Sequence, residues 1–294
     1  MSNVLVTGGC GFLGSHIVDE LLKKDYDVCV IDKKILKHSN SNKVEYIKFD
    51  LFKDDIPNEI VDQCDIIIHL AAFSDLNAAL DAPIETVLNN VVATVKLLNL
   101  AVESKIDHFL FASTVYVYSQ GGGFYKASKQ ACEVYIEEFQ KRYGLDYTIL
   151  RYGSLYGLRS DKNNGIHRLV KSALNDNKIV YDGTPDEKRE YINVQDAARL
   201  TIETISSKYK NENYVITGQQ RITNSDLITM FSEILNKELV VEYNNKSDIS
   251  GSHYRITPYT YLPKPGKKIT PRVSIDMGQG IIQLIEEIQN RGKQ

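Results

Sequence analysis

Residues 4–14, Val-Leu-Val-Thr-Gly-Gly-Cys-Gly-Phe-Leu-Gly, restrict the fold more than any other stretch. Val4, Leu5 and Val6 read as a buried strand that runs straight into glycines, and Ser15–Leu22 continues at helical spacing. Gly8, Gly11 and Gly14 are three apart. The first permits a tight turn, the second lets a diphosphate meet bare backbone, and the third brings the helix close to the strand. The helix amino end then offers free N–H groups and a favourable dipole. A second apolar run, Tyr26–Ile31, ends in Asp32, followed by Lys33 and Lys34. An acid at that strand tip accepts bonds from the hydroxyls of an adenosine ribose and repels a 2′-phosphate. The expected ligand is therefore NAD in preference to NADP, with the two lysines relaxing that preference.

Strands and helices alternate through the first half, as in a doubly wound parallel α/β sheet. Expected strands are Val44–Phe49, Asp65–Leu70, Phe109–Ala112 and Tyr147–Arg151, with helices over Ile56–Val61, Pro83–Ser104 and from Tyr125 to about Tyr143. Val91, Val95, Leu98 and Val102 form the expected buried stripe of the long helix, and Asn90 is a candidate backbone tether near the ligand. The pattern changes after Gly157. A helix over Asn163–Asp176, a strand over Lys178–Tyr181 and a compact segment Arg189–Val194 lead to a helix from Asp196 and a strand at Tyr214–Thr217. A helix over Thr223–Leu235, a strand at Val240–Tyr243, a loop Asn244–Lys268 and a last helix Asp276–Ile288 complete the chain. Residues 1–163 are expected to form the dinucleotide-binding Rossmann domain, with 192–218 returning to it. Residues 164–191 and 219–294 are expected to form a smaller interleaved α/β substrate domain, the cleft between the two being the default site.

Tyr125 and Lys129 are four apart on one helix and share a face. Ser113 and Thr114 end a strand, at the sheet edge where open α/β folds bind ligands. These groups can surround one alcohol. Tyr125 as a phenolate takes its proton, Lys129 lowers the phenol from its ordinary value near 10, and Thr114 donates to the oxygen as a carbonyl forms.

The formal net charge of -3 gives no reason to expect nucleic-acid binding. No run of eighteen apolar residues predicts a membrane span, and the first strand starts without a basic or apolar leader. Cys10, Cys29, Cys64 and Cys132 make no close pair and read as buried thiols of a cytoplasmic protein. No histidine or cysteine cluster has metal-ligand spacing, so no metal is expected.

Taken together, the glycine turn, Asp32, His69–Ala72, Asn90-Val91, Ser113–Thr114, the Tyr125–Lys129 motif, Leu150–Gly157 and Arg189–Asp196 resemble the extended short-chain dehydrogenases/reductases that act as nucleotide-sugar epimerases and dehydratases. The resemblance implies bound NAD, a UDP-, GDP- or dTDP-linked sugar, and a homodimer built on the Pro83–Ser104 and Tyr125 helices. It assigns the cofactor to Gly8, Gly11, Phe12, Leu13, Gly14, Asp32, Lys33, Asp50, Leu51, Leu70, Ala71, Ala72, Asn90, Ser113, Tyr125, Lys129 and Tyr152. Substrate contacts fall to Ser113, Thr114, Tyr125, Ser154 and Arg189, with Lys264 in place of a diphosphate-binding arginine. Catalysis falls to Thr114, Tyr125 and Lys129.

The departures from the family pattern narrow the reaction. Val115 and Tyr116 stand where 4,6-dehydratases carry an Asp-Glu pair. The segment from Thr114 to Tyr125 is short, and Gly153 and Ser154 replace larger or substrate-facing residues, which predicts a roomier sugar pocket. Epimerisation at C4 through a 4-keto intermediate needs one acid–base and is the leading expectation. An NAD(P)H-dependent reductase of a 4-keto-6-deoxy sugar nucleotide is the alternative. A dehydratase and a non-catalytic NAD-binding member rank below it.

Overall fold

The computed structural model describes residues 3–244 apart from 55 and 120. The expected loop Asn244–Lys268 beyond Asn244, the last helix and Lys264 lie outside the described residues.

Seven parallel strands form the main sheet in the order β10-β6-β5-β4-β1-β2-β3. They are β1 Asn3–Thr7, β2 Asp27–Asp32, β3 Val44–Lys48, β4 Ile66–His69, β5 His108–Thr114, β6 Tyr147–Tyr152 and β10 Glu212–Ile216. Alternation along each strand divides the core between two faces. Leu5, Ile67, Phe109 and Phe111 point to one face, under α5 Ala93–Glu103 and α6 Gly123–Tyr143. Val4, Val6, Ile66, Ile68 and Leu110 point to the other, under α1 Phe12–Lys23 and α8 Val194–Glu203. The sequential order reverses between β1 and β4, which opens a crevice at their carboxyl ends.

The chain leaves this sheet after β6 and re-enters it at β10. Between and beyond lie β7 Ser154–Tyr156, α7 Gly165–Asp176, β8 Lys178–Asp182, β9 Lys188–Asn193, β11 Arg221–Thr223, α9 Asn224–Leu235 and β12 Val240–Asn244. β9 is flanked by β7 and β11, and β8 pairs with β12. Ala173, Ile179, Tyr181, Leu227, Ile228 and Phe231 give these elements a core of their own. Thr223 caps α9 by accepting from Asp226 N at 3.0 Å.

The structure departs from the sequence reading in several places. α2 is only Asn58–Val61, because Pro57 steers Ile56 away from helical backbone. α3 Leu76–Asp81 was not expected, although Asp75 caps it by accepting from Asn77 N and Ala78 N, each at 3.0 Å. The long helix is α4 Pro83–Thr86, a π turn over Val87–Val92, then α5. Its buried face runs through Asn90, Ala93, Thr94, Leu97, Leu98 and Ala101. Val91, Val95 and Val102 only flank it, since small Ala93, Thr94 and Ala101 let the helix approach the sheet closely.

Candidate active site

A cleft of about 450 Å3 crosses the carboxyl edge of the main sheet, a size ordinary for a small-molecule site. Gly8, Gly11, Phe12, Leu13, Gly14, Asp32, Lys33, Asp50, Leu51, Leu70, Ala71 and Ala72 line it toward β1–β3. Ser113, Thr114, Tyr125, Lys129 and Tyr152 line its other end.

The glycines make a cradle that side chains would fill. Gly8 has φ +71°, and a Cβ there would stand 2.8 Å from Ala71 N. A Cβ on Gly14 would overlap the Gly8 carbonyl. Gly11 heads α1 with no side-chain cap, leaving first-turn N–H groups for an anion. The Asp32 carboxylate is held by Cys10 N and Lys34 N, each donating at 3.1 Å, beside the cradle. Bare backbone at a helix amino end next to an aligned acid fits a dinucleotide with a free ribose diol.

Behind the cradle lies a buried chain of hydrogen bonds. Leu70 N and Ala71 N donate to Thr7 Oγ1, each at 3.2 Å. Thr7 Oγ1 lies 2.6 Å from His69 Nδ1, and His69 Nε2 lies 3.0 Å from Thr94 Oγ1. Thr94 spends its proton on the Asn90 carbonyl at 2.5 Å, so His69 donates from Nε2 and accepts at Nδ1. Burial pushes the His69 imidazole down to about 3, with the Lys129 charge acting the same way.

At the catalytic end, Thr114 Oγ1 accepts from Tyr116 N at 3.3 Å, which leaves the Thr114 proton for a ligand oxygen. Val115–Tyr118 then wind into a 3-10 turn with no carboxylate on it. The Lys129 ammonium donates to the Ala112 carbonyl at 2.7 Å and lies 4.5 Å from the centre of the Phe111 ring. Burial pushes Lys129 down to about 8, with Cys132 and Glu133 opposing. Burial drives the Tyr125 phenol above its ordinary value, and Cys132 adds to the rise. The expected phenolate therefore depends on positive charge, and the Lys129 ammonium stands 6.0 Å from the centre of the ring.

The remaining expected site residues are placed as follows. Asn90 does not line the cleft. Its Oδ1 accepts from Phe73 N at 2.6 Å, and its Nδ2 donates to Phe73 O at 3.2 Å and Ser128 Oγ at 2.9 Å. Asn89 lines the cleft in its place, turned there by the π turn. Gly153 and Leu155 line the cleft, whereas Ser154 between them does not, as strand alternation requires. The room expected at Gly153 is taken, because a Cβ there would stand 2.7 Å from Thr217 Oγ1. Arg189 also lies away from the cleft lining, its Nη2 3.8 Å from Glu187 Oε2. Ser113 lines the cleft but donates its proton to Glu133 Oε1 at 2.5 Å. Glu133 was missed; its place one helical turn beyond Lys129 was the available signal.

A doubly wound sheet with a glycine cradle at one end of its crest and a Tyr–Lys pair at the other defines a short-chain dehydrogenase/reductase. The comparisons make that finer. The chain belongs to the NAD dependent epimerase/dehydratase family, whose model matches residues 4–217. Its fold is similar to that of a UDP-N-acetylglucosamine 4-epimerase from Methanobrevibacter ruminantium, solved with UDP-N-acetylmuramic acid, at a TM-score of 0.81 and 29% identity, covering 88% of this chain and 89% of that one. A UDP-glucose 4-epimerase from Thermotoga maritima, solved with UDP-glucose, gives 0.74 and 26%, covering 88% and 90%. A UDP-N-acetyl-alpha-D-glucosaminuronate decarboxylase from Bacillus cytotoxicus is 28% identical over 233 residues, 71% of this chain and 72% of that protein.

Proposed function

We propose that this chain interconverts UDP-linked sugars by NAD-dependent epimerisation at C4. The observation that carries the reading is the meeting of Thr114, Tyr125 and Lys129 in one cleft with no carboxylate on the Val115–Tyr118 turn. Among the described residues at this end of the cleft, Tyr125 is the acid–base and none is a carboxylic acid placed to expel water.

The cradle of Gly8, Gly11 and Gly14, with Asp32 at the ribose, would hold the cofactor. When bound, NAD supplies the hydride acceptor and a cationic ring. Tyr125 takes the proton of the C4 hydroxyl, and Thr114 donates to that oxygen as it becomes a ketone. The 4-keto sugar turns over so that the hydride would come back to C4 on its opposite face, leaving no net change in the cofactor, while Tyr125 returns the proton to the C4 oxygen. Lys129 adds positive charge that stabilises the phenolate during the step.

The test is incubation with UDP-glucose, UDP-N-acetylglucosamine and UDP-glucuronate, reading products by NMR. Inversion at C4 without net cofactor consumption is expected. Loss of water, loss of carbon dioxide or stoichiometric NADH consumption overturns the reading.

The active unit of this reading is a cytoplasmic homodimer. Exposed Ile84 and Val87 on the long helix and Val134 and Tyr135 on α6 offer neighbouring apolar surface for a second copy. Among the described residues no helix is long and apolar enough to cross a membrane.

A further inference from the structure

Tyr125, Lys129 and Glu133 follow one another at intervals of four along α6, and the last two grip the sheet. Lys129 holds the Ala112 carbonyl, and Glu133 Oε1 accepts the proton of the next residue, Ser113. Arg151 stands opposite Ser113 on β6 and closes a fork on Glu133, Nε to Oε1 at 3.0 Å and Nη2 to Oε2 at 2.7 Å. Arg151 Nη1 also donates to the Tyr118 hydroxyl, with the guanidinium 4.8 Å from the centre of that ring. Glu133 is 7% exposed, so this carboxylate with three donors is well inside the protein. It joins the catalytic helix, the ends of two strands and the turn that follows Thr114.

We propose that Glu133 is a positioning residue for the epimerase reaction, fixing Lys129 against β5 and committing the Ser113 proton so that Thr114 alone donates to the reacting oxygen. The proposal rests on the C4-epimerase reading. Ser113, its proton spent, can only accept from a ligand, so it faces a ligand donor such as an amide N–H or a sugar hydroxyl. The groups facing the Lys129 charge are His69 from β4 and Tyr125, Cys132 and Glu133 from its own helix. His69 is neutral, which leaves Glu133 as the nearby anion. Removing that anion lowers the proton affinity of Lys129, and the alkaline limb of the pH–rate profile moves to lower pH.

The experiment compares wild type with Glu133→Gln, Ser113→Ala and Thr114→Ala, reading kcat and KM against pH and titrating the Lys129 side chain by NMR in the cofactor-free protein. Glu133→Gln is expected to lower kcat about tenfold with KM changed less than about threefold, and to move the Lys129 titration and the alkaline limb down by about one pH unit. Ser113→Ala is expected to cost less than Thr114→Ala. An unmoved titration and limb, or equal losses at Ser113 and Thr114, overturns the proposal. If the single variant fails to fold because Arg151 is left with a buried charge, Glu133→Gln with Arg151→Met removes both charges. There the anion and the cation leave together, so a smaller Lys129 shift than in the single variant is expected while kcat again falls about tenfold, and a wild-type kcat sinks the idea. The NMR titration needs no turnover, so a wild type that fails to epimerise sugars defeats the functional reading while the Lys129 result still stands.

Discussion

The Lys129 ammonium lies 6.0 Å from the centre of the Tyr125 ring while its proton is given to the Ala112 carbonyl. The pair is aligned along one helix face, and burial raises the phenol above its ordinary value, so the step leans on the charge Lys129 brings. Tyr125→Phe removes only the phenolic oxygen. It is expected to lower kcat about a thousandfold with cofactor affinity within about twofold of wild type, read by steady-state kinetics and a cofactor-binding titration. An enzyme that keeps its rate defeats the base assignment.

Asp32 is aligned by two backbone N–H donors and reaches the cleft beside the glycine cradle. Asp32→Ala is expected to weaken NAD about tenfold and to leave NADP within about threefold, because the lost carboxylate accepts from the ribose diol and repels a phosphate. Calorimetry with both dinucleotides checks this, and equal losses contradict it.

Gly153 lies directly against Thr217, so the missing Cβ serves packing. Gly153→Ala is expected to cost about 1–3 kcal/mol of unfolding free energy without changing the choice among UDP-sugars. Adding Thr217→Ala removes the hydroxyl that the new methyl meets and recovers part of the loss. Urea melts of the four proteins in the cycle measure the coupling, and an additive cycle rejects the contact.

His69 and His108 are buried neutral, pushed by burial down to about 3 and about 4. Their folded values lie below the unfolded value near 6.5, so the unfolded chain binds more protons in between. Their stability contribution is complete above about 6.5 and is lost as pH falls toward 3–4, with a slope of up to about 1.4 kcal/mol per pH unit for each. For His69 a second proton would set Nδ1–H against a Thr7 hydroxyl that already accepts two N–H groups. Denaturant midpoints between pH 7 and about 4 test the slope, and a flat profile contradicts it.

Val134 is 59% exposed on α6 and Val87 48% exposed on the adjoining π turn. Val134→Glu with Val87→Glu is expected to halve the mass seen by light scattering without unfolding the chain, since charge is excluded from an apolar interface core. A mass unchanged from that of the wild type shows that the two helices do not form the contact.

The main sheet was legible because its determinants are local. Val4–Val6 and Ile66–Ile68 are continuous apolar runs, and the glycine turn has few alternative geometries. The cleft residues supplied by strand tips, from Gly8 to Thr114, followed from that order. What escaped depends on distant partners. Asn90 is read as a backbone tether and holds Phe73, but that Asn89 reaches the cleft beside it was not legible, because a π turn cannot be seen in an apolar period of 3.6. Gly153 reads as open space in the sequence, and the Thr217 that occupies it lies just past the end of β10, far along the chain. Glu133 shows only its place one turn beyond Lys129, and its weight comes from Arg151, eighteen positions later.

The π turn at Val87–Val92 carries one more residue than an α-helical turn needs, and that surplus lets neighbouring Asn89 and Asn90 serve the cleft and Phe73 together. Excising a single residue there would rewind the segment to regular pitch with α4 and α5 keeping nearly the same azimuths, because a π turn spends about one residue more than an α turn on one revolution. The narrower turn would have room inward for only one of the two asparagines, and either the cleft wall or the Phe73 tether would be lost. Insertions and deletions that surface helices absorb freely are therefore barred from this one, although much of its outer side faces water.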